Sequence, residues 1–358
     1  MTHFQPQAAG LPSGSFGARR GASTAPRPLR RVLAAPHRLA FTAGGVLLAA
    51  SALWWALALL APVLGVQLPW VVAPALAQAW LLGVAVWPLF LVGLLCEALP
   101  RWLGSQPLSA QVVVVPAGLL AAGGTVAALG FHVSGPLGAL GLAAVAVGLA
   151  LLAGLVGLML LEHRSAGGDA AARAPALPAL AGLAVLAVAT WAGAVALALG
   201  QAAWLQMSLQ MALWLGLVPL AVALARRDGA GMAPAGTRQG ALQRFAWVWL
   251  GTAAGLTVLR PDLPAWPALL MGSLGSLVLV RATEVALQQA GQRPRIDNTV
   301  WFSAWAAQAA VLATLLAPLL ADGGPALALL AAQFWLAAVA HWAWHLQPSL
   351  LRLPARPR

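Results

Sequence analysis

The amino-acid sequence predicts an all-α, polytopic membrane helix bundle of about ten transmembrane helices, each built on the roughly 20 apolar residues that a crossing needs. Three observations carry this. Hydrophobic residues make up 61% and charged residues 8% of the 358 residues, against roughly 45–50% and 25% in soluble domains. Apolar runs of span length recur along nearly the whole chain. When those runs are read as alternating crossings, every basic residue except Arg260 falls on one face, and all of them are Arg. Carrying guanidinium groups across a bilayer is costly, so that face is expected to be cytoplasmic.

The elements follow in order. Residues 1–36 are rich in Pro, Gly, Ser and Arg without apolar periodicity, and read as a disordered basic cytoplasmic tail. A secretory signal is disfavoured because the next apolar run is long enough to span. Spans are expected at 40–62 and 72–99, joined across Gln67–Trp70, and at 110–131 and 137–161, broken by Gly135-Pro136. The fifth, 177–200, follows Pro175–Pro178, and the sixth is 203–225. The seventh, 245–259, is short and stops at Arg260-Pro261, which suits a thinner stretch of bilayer or a re-entrant segment. Omitting it would strand Arg293 and Arg295 on the wrong face. Spans 266–289, 300–320 and 326–347 complete the bundle of residues 37–350, and 351–358 form a short basic tail. Short linkers on the outer face make consecutive helices antiparallel neighbours. Both termini are expected in the cytoplasm of a bacterium, with the chain in its inner membrane; the Ala-, Leu-, Gly- and Arg-rich composition points to a GC-rich genome.

The net charge of +12 is spread over loop ends rather than gathered on one folded face. It therefore suits anionic inner-leaflet lipids, reached through the Arg-rich tails, and not nucleic acid. The single Cys96 excludes an internal disulfide and any multi-cysteine metal site. No phosphate loop, nucleophile elbow or paired-carboxylate site is present, so no catalytic residue is assigned and an enzyme is the less favoured class.

Polar groups inside apolar spans are expensive and are the first functional suspects. They are Gln78 and Glu97 in the second span, Gln206, Ser208 and Gln210 in the sixth, and Ser273, Ser276, Arg281, Thr283, Glu284 and Gln289 in the eighth. Gln308, Gln333, His341 and His345 follow. Arg281 and Glu284, three apart, suit a pair on the helix surface, as do Glu97 and Arg101 at four. His341 and His345 share one helical face at a spacing that reaches one metal. With no Cys or carboxylate beside them, an interfacial belt with Trp342 and Trp344 is the plainer interpretation. His132, in a short outer loop, and His37, opening the first span, read as interfacial. Gly272 and Ser276 make a small-residue step for close helix approach.

Residues 266–354 resemble the C-terminal part of the NnrS family. The resemblance rests on ALLMGSLGSLVLVRATEVALQQAGQRP (268–294) and FWLAAVAHWAWHLQPSLLRLP (334–354). HRLAFTAGGVLLAASALWWAL (37–57) and WPLFLVGLLCEALPRWLG (87–104) resemble its front half, whereas 110–245 agree in hydropathy alone. The resemblance implies a polytopic bacterial inner-membrane protein linked to nitric oxide and nitrosative stress, in a family described as binding haem and copper. At the family's histidine positions this chain has Gln78, Pro267 and Gln289, and Glu284 stands at its Thr-Arg arginine. Neither Gln nor Pro is a usual haem ligand. The expectation is therefore a divergent NnrS-like protein without haem or copper, whose weak ligand candidates are His341, His345, His132 and His37. The alternatives are a small-molecule or ion transporter, a haem-binding redox membrane protein using the remaining histidines, and a structural partner of another membrane complex.

Overall fold

The computed structural model describes residues 32–226, 233–234, 236–293, 295–320 and 322–351. The arginines expected in the two tails, Arg19 to Arg31 and Arg352 to Arg358, lie outside these residues, as does Arg227. Among the described residues all regular structure is helical, in ten long helices. They are α1 (Pro36–Leu64), α2 (Pro74–Leu103), α3 (Ala110–Val133), α4 (Gly135–Ser165), α5 (Ala176–Ala198) and α6 (Ala202–Ala225). Then come α7 (Arg238–Leu259), α8 (Pro267–Gln289), α9 (Asn298–Leu319) and α10 (Gly324–Leu351). Pro36, Pro74 and Pro267 open α1, α2 and α8, where the missing N–H is no loss. Side chains of Ser134, Thr237 and Asp297 cap α4, α7 and α9 by accepting backbone N–H bonds.

Nine of these helices are long and apolar enough to cross a membrane. The expected tenth, α7, is a helix of 22 residues. Its first turns carry Arg238, Gln239, Gln243 and Arg244, which leaves only residues 245–259 as an apolar run. Linkers are short: a single residue, Ser134, separates α3 from α4.

The helices form a ring around two central ones. The apolar stretch of α2 is wholly buried and that of α8 is 94% buried. Around them α1 packs on α3, α3 on α4, α4 on α5 and α5 on α6. On the other side α7 packs on α8, α9 on α10 and α10 on α1. Phe245 of α7 meets Trp305 of α9 with ring centroids 5.6 Å apart. Glycine allows the tightest of these approaches. A Cβ on Gly130 would stand 2.0 Å from the Gly138 nitrogen, and one on Gly141 2.2 Å from the Ala127 nitrogen. Close backbone approach of this kind is how helices gain dispersion energy where lipid removes the hydrophobic drive.

The expectation of antiparallel neighbours concerned helices joined on the outer face; α6 and α7 are joined on the face that carries the arginines. α6 and α7 are consecutive, yet a partly open cavity of about 300 Å³ separates them, with α8 as its back wall. Three helices also contain π-helical turns: Leu81–Val86 in α2, Ala212–Leu217 in α6 and Pro267–Leu274 in α8.

Candidate functional site

The functional suspects gather on α8 and at the end of the bundle that carries the arginines. α8 threads the centre, so each polar side chain on it must find a partner inside the protein. Ser276 accepts from Gln308 Nε2 of α9 at 3.1 Å, and Gln308 Oε1 accepts from the indole N–H of Trp249 on α7. Gly272, one turn before Ser276, faces Trp249, where a Cβ would meet the indole at 2.5 Å. The small-residue step thus brings α7 close while Ser276 ties α9. Thr283 donates to Leu279 O at 2.6 Å and accepts from Trp342 Nε1 of α10 at 3.0 Å.

The expected pair is present. Arg281 Nη1 donates to Glu284 Oε2 at 3.1 Å, and both residues are buried. Arg281 Nη2 also donates to Ala225 O of α6 at 3.3 Å, and Glu284 Oε1 accepts from Gln239 Nε2 of α7. One pair therefore ties α6, α7 and α8.

Glu97 reaches beyond Arg101. Arg101 Nε donates to the Glu97 backbone carbonyl at 2.9 Å. The carboxylate itself meets two other helices: His37 Nδ1 of α1 at 2.6 Å from Oε1, and Gln289 Nε2 of α8, which donates to Oε2 at 3.3 Å. Three of the nominated residues, on α1, α2 and α8, thus form one cluster.

One of the histidine placements requires a correction. His37 lies in the first turn of α1, at the end where the span was expected to open, and is 1% exposed, with its ring against the Glu97 carboxylate. His132 is not in a loop but in the last turn of α3. Its Nδ1 lies 2.8 Å from Pro69 O, and its Nε2 accepts from the Trp54 indole at 2.7 Å. A carbonyl only accepts and an indole only donates, so the proton sits on Nδ1 and both ring nitrogens are used. Trp70 packs against the same ring at 4.0 Å between centroids. His163 is helical too, in the last turn of α4.

His341 and His345 share a face of α10 but turn to separate partners. His341 Nδ1 contacts Ser303 Oγ at 2.9 Å, and His345 Nε2 contacts Asp297 Oδ2 at 2.9 Å. Among the described residues no three His, Cys, Asp or Glu side chains cluster as metal ligands. Gln78 is fully buried in α2, and both its amide atoms lack a hydrogen-bond partner among the described residues.

Arginine sidedness reappears in these contacts. Arg101, Arg238, Arg281 and Arg295 lie at or near one end, as the His37–Glu97–Gln289 cluster and the bond from Arg238 to Ile296 O at 3.3 Å require. Arg260 stands at the other, exposed, 2.7 Å from Asp262. Its guanidinium holds the Asp262 carboxyl below the usual carboxylate range.

Four helices, α7 to α10, surround the polar groups of α8 and share every contact just described for Ser276, Thr283 and Glu284. The family model for NnrS protein matches this part. Residues 241–353 are NnrS-like. The matched segment is close to α7–α10, so the NnrS region is a sub-bundle built around α8. No curated protein and no solved structure matches the chain. Sequence reading had nominated Glu97, Arg281, Glu284 and Gln289 but missed Gln239, Gln243 and Trp249. The available signal was a glutamine pair among the arginines that open α7, which is costly at a span end unless it serves a buried partner.

Proposed function

We propose that the chain is an NnrS-like membrane protein of a nitrosative-stress response in the bacterial inner membrane, and that it works without the haem or copper described for that family. The NnrS match over residues 241–353 supports the first part. The observation that carries the second is the hydrogen bonding of His132. Both its ring nitrogens are committed, so ligation of a metal there would break a bond to Trp54 or Pro69. The other candidates fit no better. A b-type haem needs an axial imidazole with a free nitrogen facing the group. His341 and His345 each engage one ring nitrogen, with Ser303 and Asp297, and share one helix, so they cannot take opposite faces of one iron, while His37 is closed in behind Glu97. These placements support a protein that works without haem or copper, and no step is assigned to either.

The test has two arms. Cells lacking the chain should grow more poorly than expressing cells under a nitric oxide donor; equal growth removes the physiological assignment. Protein purified from haem-replete cells should show no stoichiometric Soret absorbance. A Soret peak lost in His132→Ala would restore a haem protein.

A second reading, small-molecule or ion transport, draws support from the π-helical turns. Those of α2 and α6 pack on each other, with Gly83 against Leu213. Wide turns of this type are frequent at functional sites. Proton flux into proteoliposomes, read with an entrapped pH dye and lost in Glu97→Gln, would support it. Absence of flux above empty vesicles would remove it.

A further inference from the structure

Between α8 and α9 the chain is pinned on both sides of a short loop. Gly291, at φ 72°, lets it leave α8 through a left-handed turn, and Gln292 N donates back to Leu287 O at 2.9 Å. On the other side Asp297 caps α9 by accepting from Val300 N. Arg293 and Arg295 stand between these anchors, both exposed. With the start of α9 and the last turns of α10 they line a cavity of about 390 Å³ at the arginine-bearing end of the bundle. Leu287, Val300 and Leu346 give the cavity an apolar side, and Gln292 and Ser349 add polar groups. The acidic groups nearby are already engaged. Asp297 Oδ1 takes Val300 N, and Oδ2 lies 2.9 Å from His345 Nε2. Glu284, next to the lining residue Thr283, meets Arg281 and Gln239. Neither Arg293 nor Arg295 has an ion-pair partner among the described residues. Arg238, bonded to Ile296 O, adds a further cation behind the loop. Two guanidiniums thus line the cavity against one committed carboxylate, a balance that favours an anion.

We propose that this cavity binds the phosphate of an anionic phospholipid in the leaflet at the arginine-bearing end. Arg293 and Arg295 donate to the phosphate oxygens, whose geometry suits the guanidinium fork. The Gln292 amide and Ser349 hydroxyl serve the hydroxyls and esters around it. The side made by Leu287, Val300 and Leu346 takes the glycerol backbone and first methylenes. That apolar side, and the depth of the cavity, favour a lipid over free phosphate. The cavity lies where α8 and α10 end, and on α10 Trp344 is 78% exposed, as an indole at headgroup level would be. Basic pockets between spanning helices at this depth suit anionic headgroups. A net negative lipid such as phosphatidylglycerol fits, whereas phosphatidylethanolamine brings an ammonium that the arginines repel. Unlike a basic tail, this site is held by the folded loop.

The experiment titrates the full chain in neutral detergent with phosphatidylglycerol, phosphatidylethanolamine or inorganic phosphate, and follows bound lipid by native mass spectrometry and stability by thermal unfolding. Phosphatidylglycerol should bind about tenfold more tightly than phosphatidylethanolamine and raise the melting temperature. Combining Arg293→Gln with Arg295→Gln should weaken its binding about tenfold, because the charge-assisted bonds are lost. Ser349→Phe keeps both charges but fills the cavity, and should weaken binding as well. Arg260→Gln, at the other end of the bundle, should leave it unchanged. Both arginines are exposed, so their variants keep the test decisive if Ser349→Phe does not fold. Equal phosphatidylglycerol binding by the unaltered chain and the double arginine variant would overturn the proposal and give the lipid to the tails. Equal affinity for the two lipids would overturn it too. So would stabilisation by inorganic phosphate with none by phosphatidylglycerol, which would assign the cavity to a free phosphate.

Discussion

Gln289 and Glu97, 192 positions apart in the chain, are joined by a hydrogen bond of 3.3 Å between the ends of the two central helices. On its other oxygen the same carboxylate takes His37 of α1. One acidic group thus fixes how α1, α2 and α8 meet at the arginine-bearing end of the bundle.

Removing either partner should therefore have unequal effects. His37 is almost wholly buried, so His37→Ala leaves the carboxylate with a lost partner and a cavity. It is expected to cost about 1–3 kcal/mol of stability. Gln289→Ala removes a longer neutral bond and should cost about 0.5–1.5 kcal/mol. Thermal unfolding in detergent with each variant, and with both together, tests this ordering. Equal small losses would mean that the cluster is solvated.

Glu284 should matter more than Asp262, although both face an arginine. Glu284 bridges Arg281 and Gln239 in the interior, and truncating one member of a buried pair typically costs about 3–5 kcal/mol because the cation is left behind. Glu284→Ala should lower the yield of folded protein or its melting temperature sharply. Asp262→Ala, in an exposed pair, should leave melting unchanged. Equal behaviour of the two variants would refute the interior role.

Close helix approach gives a third expectation. Gly130→Ala and Gly141→Ala drive a methyl group into backbone atoms of the facing helix, an overpacking that costs about 1–3 kcal/mol. Gly118 and Gly154 have open space around the added Cβ, so Ala there should be neutral or stabilising by up to about 1 kcal/mol. Melting curves of the four variants measure the contrast. Sensitivity at Gly154 would indicate an interface that the monomer does not reveal.

Topology is tested by placing single cysteines at Gly236 and Gly323 in a Cys96→Ala background. A membrane-impermeant thiol reagent should reach Gly323→Cys from outside intact cells. Gly236→Cys should react only after permeabilisation. Reaction of both from one side would break the alternation on which the span order rests.

The sequence by itself determined the bundle. Hydropathy and arginine placement gave the helices and their alternation, because bilayer thickness and the cost of moving charge act locally on each segment. It also gave the Arg281–Glu284 pair, since both groups stand on one helix three residues apart. It did not reveal that α2 and α8 are central, that His37 belongs to Glu97, or that His132 is locked between Trp54 and Pro69. Nor did it reveal the gap between α6 and α7. In an apolar span every face looks equally fit for lipid or protein, so helix order around the ring is decided by long-range packing. Only that packing tells a polar side chain which partner, many helices away in the chain, will satisfy it.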